Sequence, residues 1–189
     1  MNQRTNKRRL ENPVLTIGDS LLCSLLVSPR DEESSERKAP MIAPLFLVKL
    51  VREGSTRYRT ASLSEADQVV EAVAPLLRDE PREVLLCVLL DTKNRITGIV
   101  TLTTGTLHSS LVNPSLIFRP AILANCERVI LVHNHPSGDP APSLQDTQIT
   151  RQAKEAGAAL QIRLLDHIVI GFDDDGRPSY FSHSEKGLI

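Results

Sequence analysis

The run Val84–Leu90 restricts the fold more than any other feature. It is seven consecutive apolar residues, VLLCVLL, set between Arg82-Glu83 and Asp91. No polar position interrupts it at period two, and it is too short for a typical helix, so it fits a strand covered on both faces. Such a strand needs a layer above and a layer below. The flanking sequence supplies candidates. Residues 62–77 read as a helix with Ala66, Val69, Val70, Val73 and Leu77 on one face and Ser62 or Ser64 as its cap. A polar turn over 91–95 leads to a second strand, 96–103. Residues 114–125 read as a helix with Leu116, Ile117, Ala121 and Leu123 inward, and 128–132 as a short buried strand. Residues 143–160 form an amphipathic helix with Ile149, Ala153, Ala156 and Leu160 on one stripe. A strand over 162–170 and an extended piece over 179–183 follow. Strands alternating with helices predict an α/β domain, a sheet covered by helices.

The chain has 189 residues, enough for one domain and too few for two ordinary ones. Residues 1–40 stand apart. Met1 to Arg9 is a basic stretch without an acid, expected to be a flexible tail, and Ser28 to Pro40 is almost wholly charged, Ser or Pro, as in a solvated linker. The domain is therefore placed at 41–189. Lys plus Arg number 22 against 23 Asp plus Glu, so net charge gives no general drive toward nucleic acid or an anionic membrane. No apolar run approaches the length of a bilayer span, and no signal-peptide core follows the basic start. Cys23, Cys87 and Cys126 are odd in number and widely spaced, which argues against a disulfide framework and for a reducing cytoplasm. Cys87 and Cys126 read as small buried apolar residues.

The chemistry lies in VILVHNHPSGDPAPSLQD, residues 129–146. His133 and His135 stand two apart at the end of a strand, so both imidazoles point to one side. Pro136, Gly138, Pro140 and Pro142 force a loop, and Ser143 and Asp146 open the next helix. Two imidazoles and a carboxylate make three ligands for Zn²⁺ with the fourth position left to water, the arrangement of a catalytic rather than a structural site. Ser143-x-x-Asp146 is also a helix-capping pattern. Asp139 reads as a turn residue. His167, beside Asp166, reads either as a core histidine or as a group orienting a metal ligand from behind. His108 and His183 fall at no usable spacing.

His-x-His, seven residues, Ser, two residues, Asp resembles the metal motif of the JAMM (MPN) metallopeptidases. The blocks GTLHSSLVNP, LVHNHPSGDPAPS and LLDHIVIG are similar to the RadC-like branch of that family, and the resemblance spans about 62–189, roughly two thirds of the chain. It implies a three-layer α-β-α domain similar to cytidine deaminases. It implies one Zn²⁺ held by His133, His135 and Asp146. It implies Glu83 as the general base and Ser143 as a donor to the developing oxyanion. The expected activity is hydrolysis of a peptide or isopeptide amide in a peptide or protein substrate. Many RadC-like chains carry Arg-Glu where this one has Ser115-Leu116, which leaves Glu83 as the base.

Three other readings stay open at this point. A role on or near DNA comes with the RadC label, although the scarcity of aromatic residues and the missing glycine hairpin remove its usual support. A nucleobase deaminase would need a Pro-Cys-x-x-Cys segment that is absent. A metal-binding interaction module without turnover is the third. Oligomeric state is not legible.

Overall fold

A computed structural model describes residues 50–58, 62–105 and 112–189, all within the compact unit Phe46–Ile189. The expectations for the 1–40 extension, Cys23, His108 and most of the GTLHSSLVNP block lie outside the described residues. The elements run α1 (Ala66–Leu77), β1 (Val84–Leu90), β2 (Ile96–Thr104), α2 (Pro114–Leu123), β3 (Arg128–His135), α3 (Leu144–Leu160), β4 (Arg163–Phe172) and β5 (Pro178–Ser182).

The strands form one mixed sheet in the order β2-β1-β3-β4-β5. β1 pairs antiparallel with β2 and β3, β3 pairs parallel with β4, and β4 antiparallel with β5. All seven residues of β1 are buried, although both its neighbours are antiparallel. Helices on both faces cause this. Val84, Leu86, Val88 and Leu90 share one core with Ile130, Val132, Ile168, Ile170 and the apolar face of α1. Leu85, Cys87 and Leu89 share another with Val129, Leu131, Leu164 and residues of α2 and α3. Period-two alternation thus divides the sheet into two cores of Leu, Ile and Val, each such side chain contributing about 1.5–3 kcal/mol on full burial. The architecture is α-β-α in three layers, as expected.

Several local expectations need correction. Neither Ser62 nor Ser64 caps α1: Glu65 holds the cap position without a side-chain bond, while Ser62 donates to the Lys93 carbonyl and Ser64 bonds Gln68. In α2, Phe118 and Pro120 are buried where Leu116 and Leu123 were expected, because the face turned to the sheet runs through 117, 118 and 121. In α3, Leu160 is exposed and Gly157 is buried instead. A Cβ on Gly157 would stand 2.5 Å from the Ile162 carbonyl oxygen and 3.0 Å from the Phe118 ring, so the last turn packs closely only without a side chain there. β3 runs three residues further than expected, to His135, which puts both motif histidines on the strand itself. Among the described residues no helix is long and apolar enough to cross a membrane.

Candidate metal centre

β3 delivers His133 and His135 to the α2/α3 side of the sheet, the side of Leu131 and Val129. The turn after His135 brings the chain back over the sheet. Gly138, at φ +83°, sits against β4 so tightly that a Cβ on Gly171 would lie 1.9 Å from the Gly138 carbonyl oxygen. Ser143 then starts α3 with a full capping box. Its Oγ accepts the Asp146 N–H at 3.1 Å, and the Asp146 carboxylate accepts the Ser143 N–H at 2.7 Å. The cap fixes Asp146 in the first turn, buried, with its carboxylate toward β3.

The three groups converge. His133 Nε2 and His135 Nε2 are 3.1 Å apart, and the Asp146 carboxylate lies 3.3 Å from the first and 3.6 Å from the second. Metal bonds of 2.0–2.2 Å in a tetrahedron put neighbouring donors about 3.4 Å apart, so these spacings fit one shared ion. The hydrogen bonds behind the rings agree. His135 Nδ1 donates to the Asp139 carbonyl at 2.8 Å, so in the neutral ring the Nε2 lone pair faces the centre. Asp139 does this with its backbone, while its side chain accepts from the Ala141 N–H as a turn residue. Two imidazole nitrogens and a carboxylate this close share a positive charge, either a proton or a metal ion, and that donor set suits a metal. These three are also the group of close His, Cys, Asp or Glu side chains found among the described residues that could hold a metal.

Proton affinities follow the same logic. Burial lowers the His133 pKa from its usual value, against the pull of Asp146. Contact with Asp146 raises that of His135 despite its partial burial. Burial alone would raise Asp146, but bonds from His133, His135 and Ser143 outweigh it and hold the carboxyl well below the usual carboxylate range. Burial keeps His167 neutral, its pKa well below the ordinary value.

Glu83 is half-buried just before β1 and lines, with His135, Ser143 and Asp146, a cleft of about 320 Å³. Its backbone is held on two sides. Its carbonyl accepts the Gly105 N–H at 2.7 Å. Asn134, the residue between the two histidines, points to the other face of the sheet and clamps the segment that carries Glu83. Asn134 Oδ1 accepts the Val84 N–H at 2.8 Å, and its amide donates to the carbonyls of Arg82 at 2.9 Å and Glu80 at 3.3 Å. One strand thus positions the two candidate metal-ligating histidines with its odd residues and the carboxylate-bearing segment with its even one. The Ser143 hydroxyl donates to Asp146 Oδ2 at 2.6 Å, so its proton is held by the carboxylate. Ser115 and Leu116 lie in the first turn of α2, which Asn113 caps.

Sequence reading missed Asn134, Thr150 and His183. Thr150 is a polar residue on the buried stripe of α3, four after Asp146, and that placement was its signal. His167 meets His133 directly, Nε2 to Nδ1, at 3.0 Å. His183 stacks on His167 with ring centroids 5.1 Å apart and donates from Nδ1 to the His167 carbonyl. Nothing in the sequence spacing predicted that contact.

A mixed sheet between helices, with an open His-His-Asp set at the end of a central strand, defines a candidate metal-centre α/β domain. A model of the RadC-like JAB domain matches residues 63–188, and the chain belongs to that family. It is 51% identical over 113 residues to a UPF0758 protein of Trichlorobacter lovleyi, covering 60% of this chain and 47% of that one. It is 40% identical over 154 residues to a UPF0758 protein of Chlorobium luteolum, covering 82% and 66%. A UPF0758 protein of Methanosarcina mazei is 36% identical over 152 residues, covering 80% and 64%. The chain therefore spans about half to two thirds of the length of the curated relatives it matches.

Proposed function

We propose that the domain is a zinc-dependent hydrolase acting on an amide bond in a peptide or protein. The observation that carries this reading is the placement of Glu83 in the same cleft as His135, Ser143 and Asp146, with His133 completing the ligand set. A zinc ion held by His133, His135 and Asp146 would supply a Lewis acid for the carbonyl and make a water acidic enough to ionise near neutral pH. Glu83 accepts the proton of the attacking water at its carboxylate and returns it to the leaving amine nitrogen. Ser143 lies within the cleft, and its hydroxyl turns its hydrogen bond from Asp146 to the substrate oxyanion once the carboxylate is engaged elsewhere. The cleft is open, as an extended substrate requires. Buried free thiols at Cys87 and Cys126 suit a reducing compartment such as the cytoplasm. The balanced charge gives the nucleic-acid reading no general electrostatic drive.

The test is elemental analysis of the purified chain, followed by digestion of a mixed peptide library read by mass spectrometry. About one zinc per chain is expected, lost in His133→Ala and Asp146→Ala. Glu83→Gln should keep its zinc and lose cleavage by about 10²- to 10⁴-fold. Zinc bound with no cleavage by the wild type would make this an interaction module. No zinc after reconstitution would end the hydrolase reading altogether.

A further inference from the structure

A chain of hydrogen bonds behind His133 takes no part in the proposed chemistry. It starts on α3. The Thr150 hydroxyl donates to the Asp146 carbonyl at 2.7 Å. A hydroxyl has one proton, so both of its bonds form together only when Thr150 Oγ1 accepts from its other neighbour, His167 Nδ1 at 2.6 Å. His167 Nδ1 therefore carries the ring proton, and its Nε2 is a lone pair. That lone pair faces His133 Nδ1 at 3.0 Å, so His133 Nδ1 is the donor. The His133 proton is thereby kept on the far side of the ring, and Nε2 is left as a lone pair at the centre.

We propose that Thr150 and His167 are positioning residues that lock His133 in its Nδ1–H tautomer and so prepare its Nε2 to bind the metal. The inference rests on the metal reading above. A free neutral imidazole has both tautomers available. With the Thr150 proton on the Asp146 carbonyl, which can only accept, every bond of the relay takes one direction, against the pull of the Asp146 carboxylate 3.3 Å from His133 Nε2. Thr150, His167 and His133 are all buried, so no water competes for these atoms. His167 is itself fixed from the other side by the His183 stack and the bond to its backbone carbonyl. The relay also runs from one ligand residue to another: it begins on the backbone of Asp146 and ends on the ring of His133. The spacing of both ligands thus depends on one polar stripe between α3 and β4.

The experiment begins with ring nitrogen NMR of the metal-free wild type, where His133 and His167 should both be Nδ1–H tautomers. Zinc affinity is then measured by competition with a chromophoric chelator. Thr150→Val keeps the side-chain shape and removes both bonds. It should weaken zinc binding about 10- to 100-fold, the usual effect of losing an outer hydrogen bond to a ligand. Thr150→Ser keeps the hydroxyl and should restore affinity to within about threefold of the wild type, which a merely space-filling role would not predict. Thermal melts confirm that both variants are folded. A His133 ring protonated at Nε2 in the metal-free wild type would overturn the lock, whatever zinc does. So would unchanged zinc affinity in Thr150→Val. Wild type with the expected tautomers but no zinc binding would overturn the metal reading first and the lock's purpose with it.

Discussion

At the residue scale, the His-x-His triplet carries more than two candidate ligands. Alternation along β3 sends its middle residue, Asn134, to the opposite face, where it satisfies the Val84 N–H and two carbonyls of the Glu80–Arg82 segment. Asn134→Ala removes all three bonds from a buried site and should lower stability by about 1–3 kcal/mol. Zinc affinity should stay within about threefold of the wild type, because the Asn134 bonds go to the 80–84 segment and not to the relay behind His133. Urea denaturation of metal-free protein and a zinc titration decide between outcomes. If affinity collapses along with stability, Asn134 supports the histidines rather than the Glu83 segment. The cluster of His133, His135 and Asp146 was legible, because residue type and spacing bring those three together. Asn134 and Thr150 were not. Their roles depend on which groups lie nearby in space, and sequence separations of 17 to 54 residues hide those neighbours.

At the element scale, strands were legible from apolar runs, and helix positions from the 3.6-residue period. Which residues each helix buries was less legible. α3 illustrates the reason: its stripe of Asp146, Ile149, Thr150, Ala153 and Gly157 contains two polar residues and a glycine, so hydrophobicity alone shifts the reading toward Leu160. The turn between β3 and α3 is held by backbone contact instead of side chains. Gly171 on β4 allows the Gly138 carbonyl to lie against the strand. Gly171→Ala would force the two backbones apart, with no rotamer to relieve the clash. It should cost about 1–3 kcal/mol or more and also weaken zinc binding, because His135 and Asp139 sit on the displaced turn. Gly98→Ala on β2 is the matched control. Its Cβ would stand 3.5 Å from Leu89 Cδ1, an ordinary contact, and its φ is not in the left-handed region. That variant should be neutral or more stable by about 0.4–1 kcal/mol, through the unfolded state. Equal losses from the two alanines in chemical denaturation would remove the special status of the Gly138–Gly171 contact.

At the scale of the whole molecule, the centre adds a polar tie between β3, α3 and β4, which already share one apolar core. His133 and His135 belong to the sheet, Asp146 to α3, and the loop between them rests on β4 through Gly171. A cation bound there crosslinks a strand to a helix start through a donor set that only the folded chain assembles, so it must bind the folded chain better than the unfolded one. Linkage then sets the size of the effect: free zinc at 100 times its dissociation constant stabilises by about 2.7 kcal/mol. For a domain of this size that is an increase in Tm of roughly 10 °C. A chelator should reverse it. Asp146→Ala should lower the metal-free Tm as well, since it breaks the capping box of α3, at about 1 kcal/mol. The informative quantity is therefore the difference between melts with and without zinc, which should vanish in that variant while the absolute Tm falls. A zinc-dependent increase that survives Asp146→Ala would put the stabilising ion elsewhere on the chain. The convergence of β3 and α3 would then be a matter of packing and capping alone.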